Sequence, residues 1–237
     1  MMAQTKNLFS HTNVALPWIA LADCRRVRLH LEKAKSPRAT FPVKLALSLC
    51  GLLALSAPVQ AQTGTGTGLN NAIILVIRHG EQADKGTGLS KAGEKRAKAY
   101  VDYFKNYTVD SAPFKPDYLF STADSKESCR TRLTIEPFSK AVGLPINSDF
   151  QYTDVKGLAG AVQAKPPGKQ FLICWHHGEI PQLLSALGAN SGNLIPGNKW
   201  PEKVYDWVIQ LRYDANGRVT EAKRITEDIK VDGKRKK

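Results

Sequence analysis

Arginine and histidine side chains occur together at three points of the chain, and these residue types suit a site for a tetrahedral oxyanion. Arg78 and His79 follow one apolar segment, His176 and His177 follow another, and Arg130 lies in a helical pattern between them. A guanidinium fork matches two phosphate oxygens at once, which a lysine ammonium cannot do. A neutral imidazole nitrogen can attack phosphorus and form a covalent intermediate. The residue types therefore indicate chemistry on a phosphate group.

Short apolar runs precede both pairs, and such runs are typical of strands buried on both faces of a parallel sheet. Residues 72–77 read AIILVI and residues 171–175 read FLICW, and a further strand is predicted at 116–120. Helical patterns follow these strands at 90–104, at 127–142 and in a segment that ends at Gly188.

A hairpin is predicted near the C-terminus, where two alternating segments, 207–213 and 218–225, flank Asn216-Gly217. The alternation of strands and helices predicts the α/β class. We expect a three-layer sandwich, with a mainly parallel central sheet flanked by helices and a C-terminal β-hairpin. The segments without a pattern, which should carry substrate specificity, are 82–88, 106–116, 147–168 and 189–201.

Ligands of open α/β sheets bind at the carboxyl ends of the strands. Arg78-His79, the segment leading to Arg130, and His176-His177 all follow predicted strands. One histidine after a buried strand is more often an ordinary loop residue. Two such positions and an arginine are better explained by one common site.

Composition bounds the class of protein. The chain has 237 residues, of which 42% are apolar and 23% charged, as in soluble globular proteins. Four cysteines are too few for a disulfide scaffold, and no C-x-x-C pair suggests structural zinc. The net charge is +13, but lysine and arginine do not alternate with aromatic residues as in a nucleic-acid platform. We therefore expect a small phosphorylated substrate and no nucleic acid as partner.

Residues 1–61 are expected to be an N-terminal extension plus a signal peptide. Lys44 precedes an apolar run at 45–57, and Val59-Gln60-Ala61 is an A-x-A-like cleavage site. The run is shorter than the roughly 18 residues of a membrane span. We expect a periplasmic or secreted protein without stable membrane association after cleavage.

Three further regions follow the expected cleavage site. We expect residues 62–69 to be a flexible Gly/Thr linker, 70–231 to form the catalytic domain, and 232–237 to be a basic disordered tail. Cys129 and Cys174 could pair in an oxidising compartment. For Cys174, which lies inside an apolar strand, a buried free thiol is the better interpretation.

In their order, the motifs resemble the histidine phosphatase superfamily, also called the phosphoglycerate-mutase-like family. The resemblance covers most of residues 72–190. It rests on Arg78-His79-Gly80-Glu81, on Leu89-Ser90, Gly93 and Arg96-Ala97, on Arg130, Thr134, Pro137 and Gly143-Leu144-Pro145, and on His177-Gly178. It implies a phosphomonoesterase that forms a covalent phosphohistidine.

The resemblance also implies a role for each matching residue. His79 would be the nucleophile, Arg78 and Arg130 would clamp the phosphate, and His177 would hold the phosphoryl oxygens in the transition state. Because these side chains already supply positive charge, no metal and no other cofactor are expected.

Two of these assignments involve a choice between neighbours. Arg130 and Arg132 are about 200° apart on a helix, and we favour Arg130 because it shares the packing face with Thr134. Strand alternation puts His176 and His177 on opposite faces. We favour His177, which precedes a glycine as in the family motif, and place His176 at the pocket rim or as a possible acid.

The proton donor for the leaving group is the point at which the family pattern is not matched. Asp154 and Glu179 are the candidates, with Asp124 and Glu127 behind them, and each could equally be a surface carboxylate. Two alternatives to the phosphomonoesterase stay open. One is a phosphomutase of the same fold, and the other is a non-catalytic protein that binds phosphate or a phosphoester.

Overall fold

The structure, a computed structural model, describes residues 66–231. The expected signal peptide, the first half of the linker and the basic tail lie outside the described residues. Within residues 66–231, no helix is long and apolar enough to cross a bilayer.

The described residues form strands and helices that alternate along most of the chain. They are β1 (Ile73–Arg78), α1 (Lys91–Lys105), β2 (Thr108–Val109), β3 (Ala112–Pro113), β4 (Tyr118–Thr122), α2 (Arg130–Val142), β5 (Ile146–Phe150), α3 (Val155–Gln163), β6 (Gln170–Trp175), α4 (Ile180–Ala186), α5 (Ser191–Leu194), β7 (Trp207–Tyr213) and β8 (Val219–Thr226), with a 3-10 turn at Pro196–Asn198.

Six strands form the central sheet in the order β5-β4-β6-β1-β7-β8. The pairs β4–β5, β4–β6 and β1–β6 are parallel. The C-terminal hairpin β7–β8 joins the sheet antiparallel to β1. The predicted mainly parallel sheet with a C-terminal hairpin is confirmed.

The sheet is the middle of three layers. Alternate residues of β1 point to opposite faces, so Ile74 and Val76 belong to one buried cluster and Leu75 and Ile77 to another. The first cluster includes residues of α3 and α4, and the second includes residues of α1 and α2. Because both faces are covered, the strands read as continuous apolar runs, and the predicted sandwich is confirmed.

The residues predicted to begin α1 and to end α2 do so in the structure. Ser90 caps α1, with its hydroxyl accepting a hydrogen bond from the Gly93 nitrogen. Gly143 ends α2 in the left-handed region, at φ 71°.

Cys174 is a free, buried thiol, as predicted, and so does not pair with Cys129.

The prediction of a loop at 147–168 is wrong. This segment holds most of β5 and all of α3. The β5 sequence, INSDF, is an edge strand with little apolar content, and the α3 sequence, VKGLAGAVQ, contains two glycines that weaken a helical signal. Packing of Leu158 and Val162 against the sheet stabilises α3 instead.

Two other predicted loops are also partly ordered. Residues 106–116 include the small hairpin β2–β3, whose turn residues Asp110 and Ser111 have positive φ. Residues 189–201 include α5 and the 3-10 turn. Both elements are too short to give a periodic pattern in sequence.

Candidate active site

Parallel pairing of β1 and β6 brings the two histidine segments together. Arg78 is the last residue of β1 and pairs with Trp175, the last residue of β6, so the residues that follow emerge side by side. The ring of His79 lies 5.6 Å from that of His177 and 6.0 Å from that of His176, centroid to centroid.

His176 and His177 do not point to opposite sides, contrary to our expectation. Their rings are 4.7 Å apart and only 32° from parallel. The alternation rule does not apply because both residues lie beyond the end of β6. The structure therefore brings His176 into the same cluster as His177, beside His79.

His79 is 1% exposed and is held in one tautomer. Its Nδ1 lies 2.8 Å from the carbonyl oxygen of Gly80, which can only accept, so the proton is on Nδ1. The lone pair is then on Nε2, which is buried and has no hydrogen-bond partner in the described part of the chain. Burial and the nearby charge of Arg78 lower the pKa of His79 to about 3, so the ring is neutral at pH 7.

Arg78 is held by neutral groups. Its Nη1 donates to the carbonyl oxygens of Pro201, Glu202 and Val204, at 3.2, 2.8 and 2.9 Å. The guanidinium carbon lies 3.9 Å from the ring centroid of Tyr205. Burial lowers the pKa of Arg78 to about 10, which leaves the group charged at pH 7. Its positive charge therefore remains available to a ligand.

Of the other two nitrogens of Arg78, only Nη2 contacts the described histidines. Nη2 lies 3.4 Å from Nδ1 of His177, which puts the His177 proton on Nε2 when the guanidinium donates. Nε is buried and has no hydrogen-bond partner among residues 66–231. Burial and the charge of Arg78 lower the pKa of His177 to about 4.

Arg130 begins α2, and Thr134 ties that helix to the loop after β1. The Thr134 hydroxyl accepts from the Gly80 nitrogen at 2.8 Å and donates to the Arg130 carbonyl at 2.7 Å. The charge of Arg130 contributes to the lowered pKa values of His79 and His177, so its guanidinium lies near them. Its Nε is buried and without a partner in the described residues.

Arg132, the alternative to Arg130, has other partners. It forms ion pairs with Asp124 and Glu136 at 2.9 and 3.2 Å. The structure thus separates the two arginines as the helical geometry predicts.

Three of the four carboxylates considered as proton donors, Asp124, Glu127 and Asp154, are exposed. Asp154 is exposed and caps α3 by accepting from the Gly157 nitrogen. Glu127 is exposed, and Glu179 directly precedes α4. Burial, and after it the charges of Arg78 and Arg130, lowers the pKa values of His176 and His177. The choice of proton donor stays a prediction.

Glu81, the fourth residue of the first motif, is bound to Arg96. The carboxylate accepts from Nε and Nη2 of Arg96, the latter at 2.7 Å, and Nη1 of Arg96 bonds Glu227. This contact requires close packing of the loop on α1, where a Cβ at Gly93 would overlap the Glu81 backbone oxygen. Gly93 and Arg96 of the motif therefore both serve the contact between the Glu81 loop and α1.

The three imidazoles could also hold a transition-metal ion. One ligand atom from each of His79, His176 and His177 lies within 4.8 Å of the others. However, Nδ1 of His176 accepts from the Gly178 nitrogen, and two guanidinium groups stand beside the cluster. These neighbours favour an anion over a cation at this position.

Two residues at this site carried no signal in the sequence. Tyr205 reaches Arg78 because β7 runs antiparallel to β1, which puts the loop before β7 beside the end of β1. Tyr152 lies 5.1 Å from the ring of His176, and its carbonyl accepts from Nε1 of Trp175. Only the strand order, which local patterns do not encode, could have indicated Tyr205.

No protein-family model matches the chain, and no curated protein matches it in sequence. Several solved structures are similar to it. SixA from Agrobacterium tumefaciens is 18% identical, with 64% of this chain and 97% of that chain covered, at a TM-score of 0.47. A mycobacterial glucosyl-3-phosphoglycerate phosphatase is 15% identical, with 67% and 99% covered, at a TM-score of 0.42. A phosphoglycerate mutase from Bacillus anthracis is 15% identical, with 69% and 94% covered, at a TM-score of 0.40. All three are members of the histidine phosphatase superfamily, the family that the motifs of this chain resemble.

Proposed function

We propose that this protein is a metal-independent phosphomonoesterase that hydrolyses a phosphate ester through a phosphohistidine on His79. Arg78 and Arg130 bind the phosphate oxygens, and His177 donates to them through Nε2. The proposal also includes export to the periplasm or the outside of the cell, which rests on the signal-like segment at 45–57.

One observation carries the proposal. Among the described residues, five buried side-chain polar atoms lack a hydrogen-bond partner, and three of them belong to this cluster: Nε of Arg78, Nε2 of His79 and Nε of Arg130. Buried polar atoms without partners are destabilising unless a ligand satisfies them. Two N–H donors on cations beside one lone pair suit a phosphate dianion, with the lone pair facing phosphorus.

In the first step, Nε2 of His79 attacks phosphorus. The N–P bond forms as the bond from phosphorus to the ester oxygen breaks, and the leaving group departs with the electron pair. The neutral ring needed for this step is favoured by the low pKa of His79, at about 3. The Nδ1 proton, held by the Gly80 carbonyl, stabilises the positive charge that the ring acquires.

In the second step, water attacks the phosphohistidine, the N–P bond breaks, and inorganic phosphate leaves with His79 regenerated. In both steps negative charge shifts among the phosphoryl oxygens, and the fixed guanidinium groups stabilise it without reorganisation.

The test measures p-nitrophenyl phosphate hydrolysis and trapping of 32P from a labelled ester by acid-free quenching. We expect the wild-type protein to carry acid-labile label, and His79→Ala to lose both the label and at least 10³-fold in turnover. Arg132→Ala, on the same helix as Arg130 but paired with Asp124, is the matched control and should retain activity. Hydrolysis that survives His79→Ala would contradict the mechanism. Phosphate binding without any turnover would favour the non-catalytic alternative.

The export proposal has its own test. N-terminal sequencing of the mature protein from culture fractions should begin directly after Ala61. A mature chain that begins well before Ala61 would contradict it.

A further inference from the structure

A tyrosine from the loop before β7 stands beside the first motif of the candidate site. The ring of Tyr205 lies over the guanidinium of Arg78, with the guanidinium carbon 3.9 Å from the ring centroid. The same ring is 6.4 Å from the ring of His79, centroid to centroid, at an interplanar angle of 63°. Tyr205 is therefore a neighbour of both residues that this motif contributes to the site.

Backbone hydrogen bonds hold Tyr205 on both sides. The carbonyl oxygen of Val204 accepts from Nε1 of the buried Trp200 at 2.8 Å, in addition to its bond with the arginine. The carbonyl oxygen of Asp206 accepts from the Glu227 nitrogen at 2.7 Å. Because both of its neighbours in sequence are held, the tyrosine ring needs little further ordering when a ligand binds.

The hydroxyl end of Tyr205 lies near both arginines of the site. Burial lowers the pKa values of Arg78 and Arg130, and the next influence on both is a charge on the phenolic oxygen of Tyr205, which raises them. Such an influence falls with distance, so this oxygen is close to both guanidinium groups. The phosphate is proposed to lie between the same two groups.

The Tyr205 hydroxyl is available to a ligand. It forms no hydrogen bond with any residue in 66–231, and the side chain is only half-buried. A phenolic hydroxyl can donate one hydrogen bond. Hydrogen bonds to an ionised acceptor, such as a phosphate oxygen, are shorter and stronger than those between neutral groups. The hydroxyl thus has both the chemistry and the position of a phosphate ligand.

Resting on the anion site of the function proposed above, we infer that Tyr205 is a further phosphate-binding residue, whose hydroxyl donates to a phosphoryl oxygen between Arg78 and Arg130. The ring and the hydroxyl then have separate tasks. The ring holds the guanidinium of Arg78, since a cation is attracted to an aromatic face. The hydroxyl gives the anion one more donor without adding charge to the site.

The test titrates inorganic phosphate into the protein by calorimetry and measures kcat/KM for p-nitrophenyl phosphate. Tyr205→Phe keeps the ring and removes the hydroxyl, and we expect it to weaken phosphate binding and to lower kcat/KM, each about tenfold. Tyr205→Leu also removes the ring and should lose about a further fivefold. Wild-type phosphate affinity in Tyr205→Phe would overturn the inference.

The matched control is Tyr118→Phe. Tyr118 begins β4, at the end of the sheet opposite to the site, and stacks on Phe171 with ring centroids 5.4 Å apart. Loss of its hydroxyl should leave phosphate binding at the wild-type level. An equal loss of phosphate affinity in Tyr118→Phe and Tyr205→Phe would contradict a specific role for Tyr205.

Urea denaturation separates binding from folding. Because the Tyr205 hydroxyl bonds no described residue, its removal in Tyr205→Phe should leave the unfolding midpoint unchanged. A fall in phosphate affinity that appears only together with a lowered midpoint would assign the hydroxyl to the fold and overturn the inference.

Failure of this inference is distinguishable from failure of the proposed function. If the protein binds phosphate without turnover, the enzyme proposal fails, but calorimetry still shows weaker binding in Tyr205→Phe. If Tyr205 does not bind phosphate, Tyr205→Phe binds phosphate and hydrolyses the ester like the wild type, while His79→Ala still abolishes the label. A wild-type protein that does not bind inorganic phosphate would overturn both.

Discussion

Two buried arginines, Arg78 at the end of β1 and Arg96 in α1, have opposite surroundings. Arg96 bonds two carboxylates, Glu81 and Glu227, so its positive charge is more than offset by its partners. Arg78 bonds three backbone carbonyls and stacks on Tyr205, all of them uncharged. Both side chains are almost fully buried.

The difference separates an arginine whose charge is offset within the fold from one whose charge is left without a carboxylate partner. Two carboxylates more than offset the single positive charge of Arg96, so burial of this guanidinium is tolerated and none of its charge is left for an anion. Carbonyl oxygens around Arg78 fix its direction and leave its charge for an anion to neutralise. Four predictions test this contrast.

The largest effect is expected for Arg96→Leu. The change leaves Glu81 and Glu227 facing each other without their cation, and the Glu227 side chain has no exposed surface. We expect the free energy of unfolding to fall by about 3–5 kcal/mol, measured by urea denaturation.

The matched control is Arg132→Leu, which removes an arginine with two carboxylate partners at a partly exposed position. The loss there should stay below about 1 kcal/mol. Equal losses in the two variants would contradict a special role for the buried cluster.

Arg78→Lys tests the other side of the contrast. A lysine keeps the positive charge but has a single nitrogen. It cannot bond the loop carbonyls and at the same time offer further N–H donors to a ligand, as the guanidinium can. We expect kcat/KM for p-nitrophenyl phosphate to fall about 10²-fold, with a smaller loss of stability than in Arg96→Leu. Arg132→Lys is the control, and activity in Arg78→Lys equal to that of the control would show that charge alone suffices.

The pH dependence of stability follows first from the burial of His79 and then from the uncompensated charge of Arg78 beside it. The pKa of His79 is about 3 in the folded protein and 6.5 ordinarily, so the unfolded chain binds the proton more readily. The stability this group contributes is complete above pH 6.5 and is lost as the pH falls from 6.5 toward 3. Between pH 7 and pH 4.5, His79→Gln should lose about 2 kcal/mol less than the wild type, measured by urea denaturation at each pH. Parallel curves for the two proteins would refute the depressed pKa.

The smallest effect is expected on removal of metal ions. Because Arg78 and Arg130 supply the positive charge, prolonged treatment with EDTA should change p-nitrophenyl phosphate hydrolysis less than twofold. Added Zn²⁺ serves as the comparison, since it tests binding to the three imidazoles. Loss of activity with EDTA and its recovery with a metal ion would show that this ion, and not the arginines, supplies the positive charge.

The fold was predictable where local signals are dense. The apolar runs of β1 and β6, the Ser90 cap of α1 and the Gly143 end of α2 each correspond to a pattern of a few residues. The edge strand β5 and the glycine-containing α3 were missed because tertiary packing, not local propensity, determines them.

The site was predictable in part for the same reason. Arg78, His79, Arg130 and His177 stand in short motifs next to strand ends, and the parallel sheet brings three of them from two neighbouring strands. Tyr205 and the carbonyls of Pro201, Glu202 and Val204 reach the site because β7 lies antiparallel to β1. This placement depends on contacts between residues more than 120 positions apart. The relation between His176 and His177 depended on the residue at which β6 ends, and sequence patterns do not set that boundary.

The carbonyl oxygens that bond Arg78 also determine how much of the chain the candidate site requires. All four motif residues lie before residue 178, whereas the oxygens that orient the first of them come from Pro201, Glu202 and Val204. A polypeptide that ended before this loop would contain every motif but would lack the carbonyl oxygens that orient Arg78. The orientation of Arg78, and with it the proposed anion site, thus depends on a loop in the last quarter of the chain.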